Sequence, residues 1–227
     1  MVNKHQTGLV IFGGVAGAGK DTQARLLSER CGWPILVVSE ALRATQDPKV
    51  LSYIKLGKLV PKDVLQRAVS QMLDKILQSA PSCIIMNGIL RSMDNVEVLE
   101  RLLGKYHLKL EAVFWLKLEK STVIRRLQNR YICPKCKRIY NLETSPPKND
   151  LICDVDGTPL IKREDDSDLE RILRRVKVIE SNYPRIKAAL ARYGRWYDID
   201  ANRPVEKIHN EIVGLLHCDK IRVEHSN

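Results

Sequence analysis

Aromatic residues are scarce in this chain: 5% of 227 positions, with only two phenylalanines. Proteins that grip single-stranded nucleic acid stack bases on aromatic rings, and too few rings are present for such platforms. Long apolar runs are also missing. Nothing approaches the roughly 18 apolar residues of a membrane helix. The opening stretch MVNKHQTGLVIFGG has a single four-residue apolar run before its glycines. No signal peptide and no membrane partner are expected, and a cytoplasmic location follows. A basic tail is lacking too. The net charge is +11, from 38 Lys+Arg against 27 Asp+Glu, but the cations are spread along the chain. Most of that excess reads as solvated surface. The scattered pattern suits small phosphorylated partners better than nucleic acid.

Six cysteines in a reducing compartment argue against a disulfide framework and favour metal binding for any clustered subset. Cys31, Cys83 and Cys218 are isolated; Cys83 reads as a small buried hydrophobe in a strand. The other three lie in ICPKCKRIYNLETSPPKNDLICDVDG, residues 132–157. Cys133-Pro134-Lys135-Cys136 is a metal knuckle. Cys153 and Asp156 repeat its spacing after a gap of 16 residues. Two such pairs can close a tetrahedral Zn2+ site, and a carboxylate oxygen is an acceptable fourth ligand. Asp154 is a competing donor, poorly placed to complete the knuckle. The alternative is a metal-free lobe in which Asp156 belongs to the turn made with Gly157. With four protein ligands a zinc site would be structural, since no position is left open for substrate.

Short apolar runs at 9–12, 35–38, 83–86, 112–116 and 196–199 read as strands buried on both faces. Between them, apolar residues recur at three- and four-residue spacing over 21–30, 62–78, 95–103, 121–129, 169–191 and 205–216. This β/α alternation predicts an α/β fold with a five-stranded parallel sheet flanked by helices. Two segments interrupt it, one after the second strand and one around the cysteines. The predicted layout is a core of 1–37, 61–129 and 167–227, an arm of 38–60 and a lobe of 130–166.

The run Gly14-Val15-Ala16-Gly17-Ala18-Gly19-Lys20 follows the first strand and opens the first helix. It has the G-x-x-x-x-G-K spacing of a phosphate loop in the required context. Small residues let consecutive backbone amides wrap a phosphate, and the helix N-terminus adds positive potential. Lys20 can reach the outer phosphates, and Thr22 can support Mg2+. Asp21 favours the helix dipole but lies close to phosphate charge, so its side chain is expected to point away from the nucleotide.

The run Gly17-Ala18-Gly19-Lys20-Asp21-Thr22-Gln23-Ala24 resembles the adenylate kinase loop G-x-G-K-G-T-Q-x, and the likeness extends over nearly the whole chain. Val38-Ser39-Glu40-Ala41-Leu42-Arg43 is similar to T-G-D-x-L-R. Gly57-Lys58-Leu59-Val60-Pro61 is similar to G-K-L-V-P/S, and Asn87-Gly88-Ile89-Leu90-Arg91 stands where the family has D-G-F-P-R. Arg126 and Arg130 precede the cysteine lobe as two arginines precede that family's lid. The lobe closes on Ile161-Lys162-Arg163-Glu164-Asp165-Asp166, and Asp200-Ala201-Asn202-Arg203-Pro204 resembles the adenine-side loop. Zinc held by three Cys and one Asp also occurs in the lids of some bacterial members.

The resemblance implies a P-loop NTPase fold with a monophosphate-binding arm and a zinc-ribbon-like lid. It implies reversible phosphoryl transfer from ATP·Mg2+ to AMP by a monomer. Gly17, Ala18, Gly19, Lys20, Asp21, Thr22, Arg126, Ile139, Tyr140 and Arg203 would bind ATP, with Arg126 stacked on adenine. Val38, Arg43, Lys58, Leu59, Val60, Gly88, Arg91, Asn95, Arg163 and Arg174 would bind the monophosphate. Lys20, Arg91, Arg130, Arg163 and Arg174 would serve the transfer. Arg171 and Arg175 share the helix of Arg174, on nearby faces.

Four departures fall on the acceptor side: Val38 for Thr, Asn87 for Asp, Leu90 for Pro and Asn95 for Gln. The span from Arg43 to Gly57 is also short. Asn87 contributes no negative charge toward Mg2+, so less Mg2+-efficient turnover is expected, and Asn87→Asp is expected to raise it. The alternatives are a kinase of UMP, CMP, GMP or a deoxynucleotide, and a catalytically weakened nucleotide-binding protein.

Overall fold

The computed structural model describes residues 6–162, 166 and 168–216. Arg163, Cys218 and the other remaining positions lie outside the described residues. The main sheet is built from β1 (Gly8–Gly14), β2 (Ile35–Val37), β3 (Cys83–Asn87), β4 (Lys109–Lys117) and β8 (Arg195–Asp200). All pairings are parallel, in the order β2-β3-β1-β4-β8. Every residue of β1 is buried, because helices cover both faces of this central strand. The two strands beside β1 come later in the chain, so the crevice at its C-terminal end is the topological switch point where such sheets bind ligands.

The flanking helices are α1 (Lys20–Cys31), α4 (Lys62–Ile76), α5 (Met93–Lys105), α6 (Lys120–Gln128), α7 (Leu169–Leu190) and α8 (Val205–Leu216). Each occupies a stretch with helical spacing of apolar residues. The arm consists of α2 (Val38–Ala44) and α3 (Pro48–Lys55). Asp47 caps α3 by accepting from the Lys49 amide at 2.8 Å, and Pro48 fills the first helical position, where its missing N–H costs nothing. Val38, expected as the last residue of a strand, instead opens α2. It is buried in either setting, so an apolar run cannot tell the two apart.

The lobe is a separate three-stranded antiparallel sheet, β6 (Ile139–Asn141), β5 (Arg130–Ile132) and β7 (Ile161–Lys162). Its own apolar cluster is Cys133, Tyr140, Cys153 and Leu160. That is too little buried surface to hold a fold of this length by itself.

Half of the twelve aromatics gather in one cluster that runs from β1 across β4 to the β8 edge of the main sheet. Phe12, Phe114 and Tyr197 stack with centroids 5.7 and 5.4 Å apart, and Trp115 stacks on Trp196 at 5.5 Å. Tyr183 of α7 closes on both tryptophans. This large contact area at the β4–β8 edge anchors α7.

Candidate active site

The crevice above β1 is a cavity of about 470 Å3. Its floor is the loop between β1 and α1. At Gly14, φ is +119°, and a Cβ there would sit 2.3 Å from the Leu116 carbonyl oxygen, so only glycine fits. Gly19 takes the N-cap of α1 in the left-handed region, and no side chain caps the helix. The first-turn amides therefore face the cavity, as an anion site requires.

Lys20 Nζ donates to the Val15 carbonyl at 2.7 Å, folded back along the loop. Burial pushes its amine down to about 7; Asp21 opposes the fall, while Arg91, Arg130 and Arg175 add to it. A phosphate arriving beside it would favour the charged form again.

Gly17, Ala18, Gly19, Lys20, Asp21, Thr22, Arg126, Ile139, Tyr140 and Arg203 all line this cavity, together with Gly88, Arg91 and Arg130. Arg126 spans its mouth, donating to the Gly17 carbonyl at 3.4 Å and to that of Ala201 at 2.9 Å. One guanidinium thus ties the phosphate loop to the loop after β8. Arg203 is held by the Asp200 carbonyl at 3.1 Å and by Glu211. Arg130 is nine-tenths buried in a bidentate pair with Asp166, both bonds 2.7 Å. Arg175 reaches the same carboxylate at 3.8 Å. Asp166 therefore fixes two cations, one from the start of the lobe and one from α7.

An adjoining pocket is lined by Val38, Arg43, Lys58, Leu59, Val60, Gly88, Arg91 and Asn95. Ser39, Gly88, Arg91 and Arg175 line both spaces, so the two sites communicate. Arg43 Nη1 donates to the Ser39 carbonyl at 3.4 Å. Asn95 is buried. Its backbone N–H donates to Ser92 Oγ at 3.4 Å, and that hydroxyl donates to Asn95 Oδ1 at 3.2 Å. The amide of Asn95 is left with its N–H donors for the pocket.

One expectation needs correction. Asp21 does not point away: its Oδ1 accepts from Asn87 Nδ2 at 2.7 Å, and both residues line the cavity. The partner lies 66 residues off in sequence, so nothing local announces it. Arg174 is exposed and lines neither the cavity nor the acceptor pocket, but it borders a third hollow of about 300 Å3 together with Gly14, Lys20, Lys58, Arg91 and Arg175. Arg175 takes the inward place because Ile172, Val176 and Ile179 set the buried face of α7.

Asn141, Thr144 and Ser145 also line the cavity, unanticipated. Asn141 Oδ1 accepts from the amides of Glu143 and Thr144, each at 3.0 Å. The Asn-Leu-Glu-Thr-Ser run is a turn signal from which this could have been read.

In the lobe, one ligand atom each from Cys133, Cys136, Cys153 and Asp156 lie within 4.8 Å of one another. Cys136 Sγ and Cys153 Sγ are 3.5 Å apart, and Cys133 Sγ is 3.5 Å from both Asp156 oxygens. Such a cluster can hold a metal ion: its sulfurs and carboxylate converge as a tetrahedral site requires. Tyr140 Oη is 3.4 Å from Cys153 Sγ, a contact that orients the ligand from behind. Asp154 turns away to accept from the Lys148 amide at 2.8 Å, which removes the competing donor.

A phosphate loop on a switch point, facing a second anion pocket across shared arginines, defines a P-loop phosphotransferase. Residues 13–133 match the profile described as "AAA domain", and 130–165 match "Adenylate kinase, active site lid". An adenylate kinase of Hydrogenobaculum sp. is 35% identical, across 92% of this chain and 100% of the relative. That of Mycoplasma capricolum is 32% identical, across 89% and 96%, and that of Archaeoglobus fulgidus 31%, across 91% and 97%. The chain belongs to the adenylate kinase family.

Proposed function

We propose that the protein transfers the γ-phosphoryl of ATP to AMP, giving two ADP, and runs the reverse reaction equally. One observation carries the reading: two arginine-lined spaces open onto each other through Gly88, Arg91 and Arg175. Phosphoryl transfer asks for little else than two polyphosphate ends held in line with their charge neutralised.

The loop amides and Lys20 hold the ATP phosphates. Arg43 and Arg91 hold the acceptor phosphate as bidentate forks. Arg130 and Arg175 face the transferring group, and the family resemblance gives Arg163, outside the described residues, a part in the same step. An AMP phosphate oxygen bonds to the γ-phosphorus as the bond to the ADP oxygen breaks. Mg2+ bound with ATP would neutralise charge on the phosphates, and Thr22 is the hydroxyl placed to support it.

The acceptor base is read by Asn95. With its oxygen already accepting from Ser92, it offers N–H donors. Adenine N1 and cytosine N3 accept such a bond at the ring nitrogen; guanine N1–H and uracil N3–H do not, and leave only their flanking carbonyls to accept.

We assign 38–60 as the monophosphate-binding arm and 130–166 as the lid. Zinc is the metal we place at Cys133, Cys136, Cys153 and Asp156, in a structural role, since three thiolates and a carboxylate fill its coordination. We place the enzyme in the cytoplasm as a monomer; among the described residues no helix is long and apolar enough to cross a membrane.

A coupled assay of ADP formation, with ATP against a panel of monophosphates, tests the reading. AMP is expected to be the best acceptor, with CMP ahead of GMP and UMP. A different best acceptor would make this a sibling kinase. ATP binding without transfer to any of them would leave a nucleotide-binding protein.

A further inference from the structure

Asp21 and Glu206 are the acidic side chains on the cavity wall among the described residues. Glu206 belongs with Arg203 at the adenine end, on the first turn of α8. Asp21 stands between Lys20 and Thr22 at the first turn of α1. Among the described residues it is therefore the one carboxylate on the phosphate side of a wall whose other charged side chains there are cations. An acid there opposes phosphate binding unless a cation stands between the two.

Asn87 supplies an independent sign of that cation. It closes β3, is 3% exposed and lines the cavity. A carboxylate can only accept, so Asn87 must turn Nδ2 toward Asp21, as the 2.7 Å bond shows. Its Oδ1 is thereby directed away from Asp21, and this buried oxygen has no hydrogen-bond partner. A buried acceptor left bare costs free energy comparable to a lost hydrogen bond. The phosphate side thus offers a negative oxygen, a bare amide oxygen and the Thr22 hydroxyl. These are hard donors of the kind that receive Mg2+ through its waters.

We propose that Asp21 and Asn87 act as one unit toward nucleotide-bound Mg2+: Asp21 provides the charge, and by fixing the amide it aims Asn87 Oδ1 at the metal's hydration shell. The inference rests on reading the cavity as an ATP site. It removes the expectation of weak Mg2+ use, because the negative charge sits on α1 instead of β3. It also reverses the expected gain from Asn87→Asp. Two carboxylates at that separation would share a proton, and the oriented amide would be gone.

The test is equilibrium binding of ATP to the full-length chain, with and without Mg2+, by calorimetry. The readout is the ratio of the two affinities. In Asp21→Asn, close in shape and neutral, the Mg2+-dependent gain should fall by about ten- to a hundredfold, as when a metal's outer partners are lost. Asn87→Asp should lower it too, while Asp21→Gly combined with Asn87→Asp should recover most of it. Circular dichroism melts confirm that each variant folds. A gain unchanged within about twofold in Asp21→Asn overturns the proposal, as does a double variant no better than either single one. If wild type binds MgATP with an Asp21-dependent gain but phosphorylates no monophosphate, this inference stands and the proposed function falls. If it phosphorylates AMP with no Asp21 dependence of the metal gain, the reverse holds.

Discussion

Arg174 and Arg175 are adjacent on α7, yet one is exposed and the other has a side chain only 16% exposed beside Asp166. One step along a helix turns a side chain by about 100°. Arg175→Ala should therefore cost about a hundredfold in kcat, the scale of losing one preorganised cation at a transferring phosphoryl. Arg174→Ala should stay within about twofold. Steady-state kinetics on both variants decides between them; equal losses would remove the role given to Arg175. The pair also shows what was illegible at this scale. Arg-Arg leaves helix phase ambiguous by one position unless the buried face is known, and Ile172 and Val176 reveal that face only once α7 is seen packed. Asp21 was misread for a different reason. The helix dipole and nearby phosphate were legible locally, whereas the Asn87 amide that attracts it arrives through tertiary pairing of β1 with β3. In contrast, the phosphate-loop residues line the cavity as their spacing predicts, because that motif is short enough to fix its own geometry, and Arg43, Arg91 and Arg126 line the spaces to which the family resemblance assigns them.

The strands were the easiest elements to read, since burial on both faces leaves near-continuous apolar runs. The lid was the hardest. Its strands are two or three residues long and carry no periodicity, and the metal knuckles were its one clear signal. Its stability should accordingly rest on the metal, given so small an apolar cluster. About one zinc per chain is expected in protein purified without chelator. Cys153→Ser should lose the metal and render 130–162 sensitive to protease, while ATP still binds the core. Asp156→Cys should keep the metal. Zinc below about half a mole per mole of wild type would refute this assignment. A metal-free lid that resists protease equally well would deny it a structural role.

At the scale of the whole molecule, resistance to acid should be governed by the β4–β8 edge. Asp198 accepts from Lys187 at 2.8 Å, Tyr183 at 2.6 Å and Trp196 at 2.8 Å, with Lys117 3.1 Å away. Burial alone would raise its pKa, but these partners outweigh burial and hold the carboxyl well below the usual range. A lowered folded-state pKa adds stability that is fully present above the unfolded value, near 3.9, and is lost as pH falls toward the folded value. Asp198→Asn should cost about 1 kcal/mol at pH 7, with the gap to wild type closing below about pH 4. Denaturant melts across that range measure it, and a gap independent of pH would exclude this origin. The aromatic cluster at the same edge has an optical consequence. The three tryptophans are Trp33, Trp115 and Trp196, and none lies in 38–60 or 130–166. Tryptophan fluorescence, excited where tyrosine does not absorb, therefore watches the core alone and is blind to arm and lid. A single tryptophan introduced at exposed Leu142 would report lid movement against a silent background.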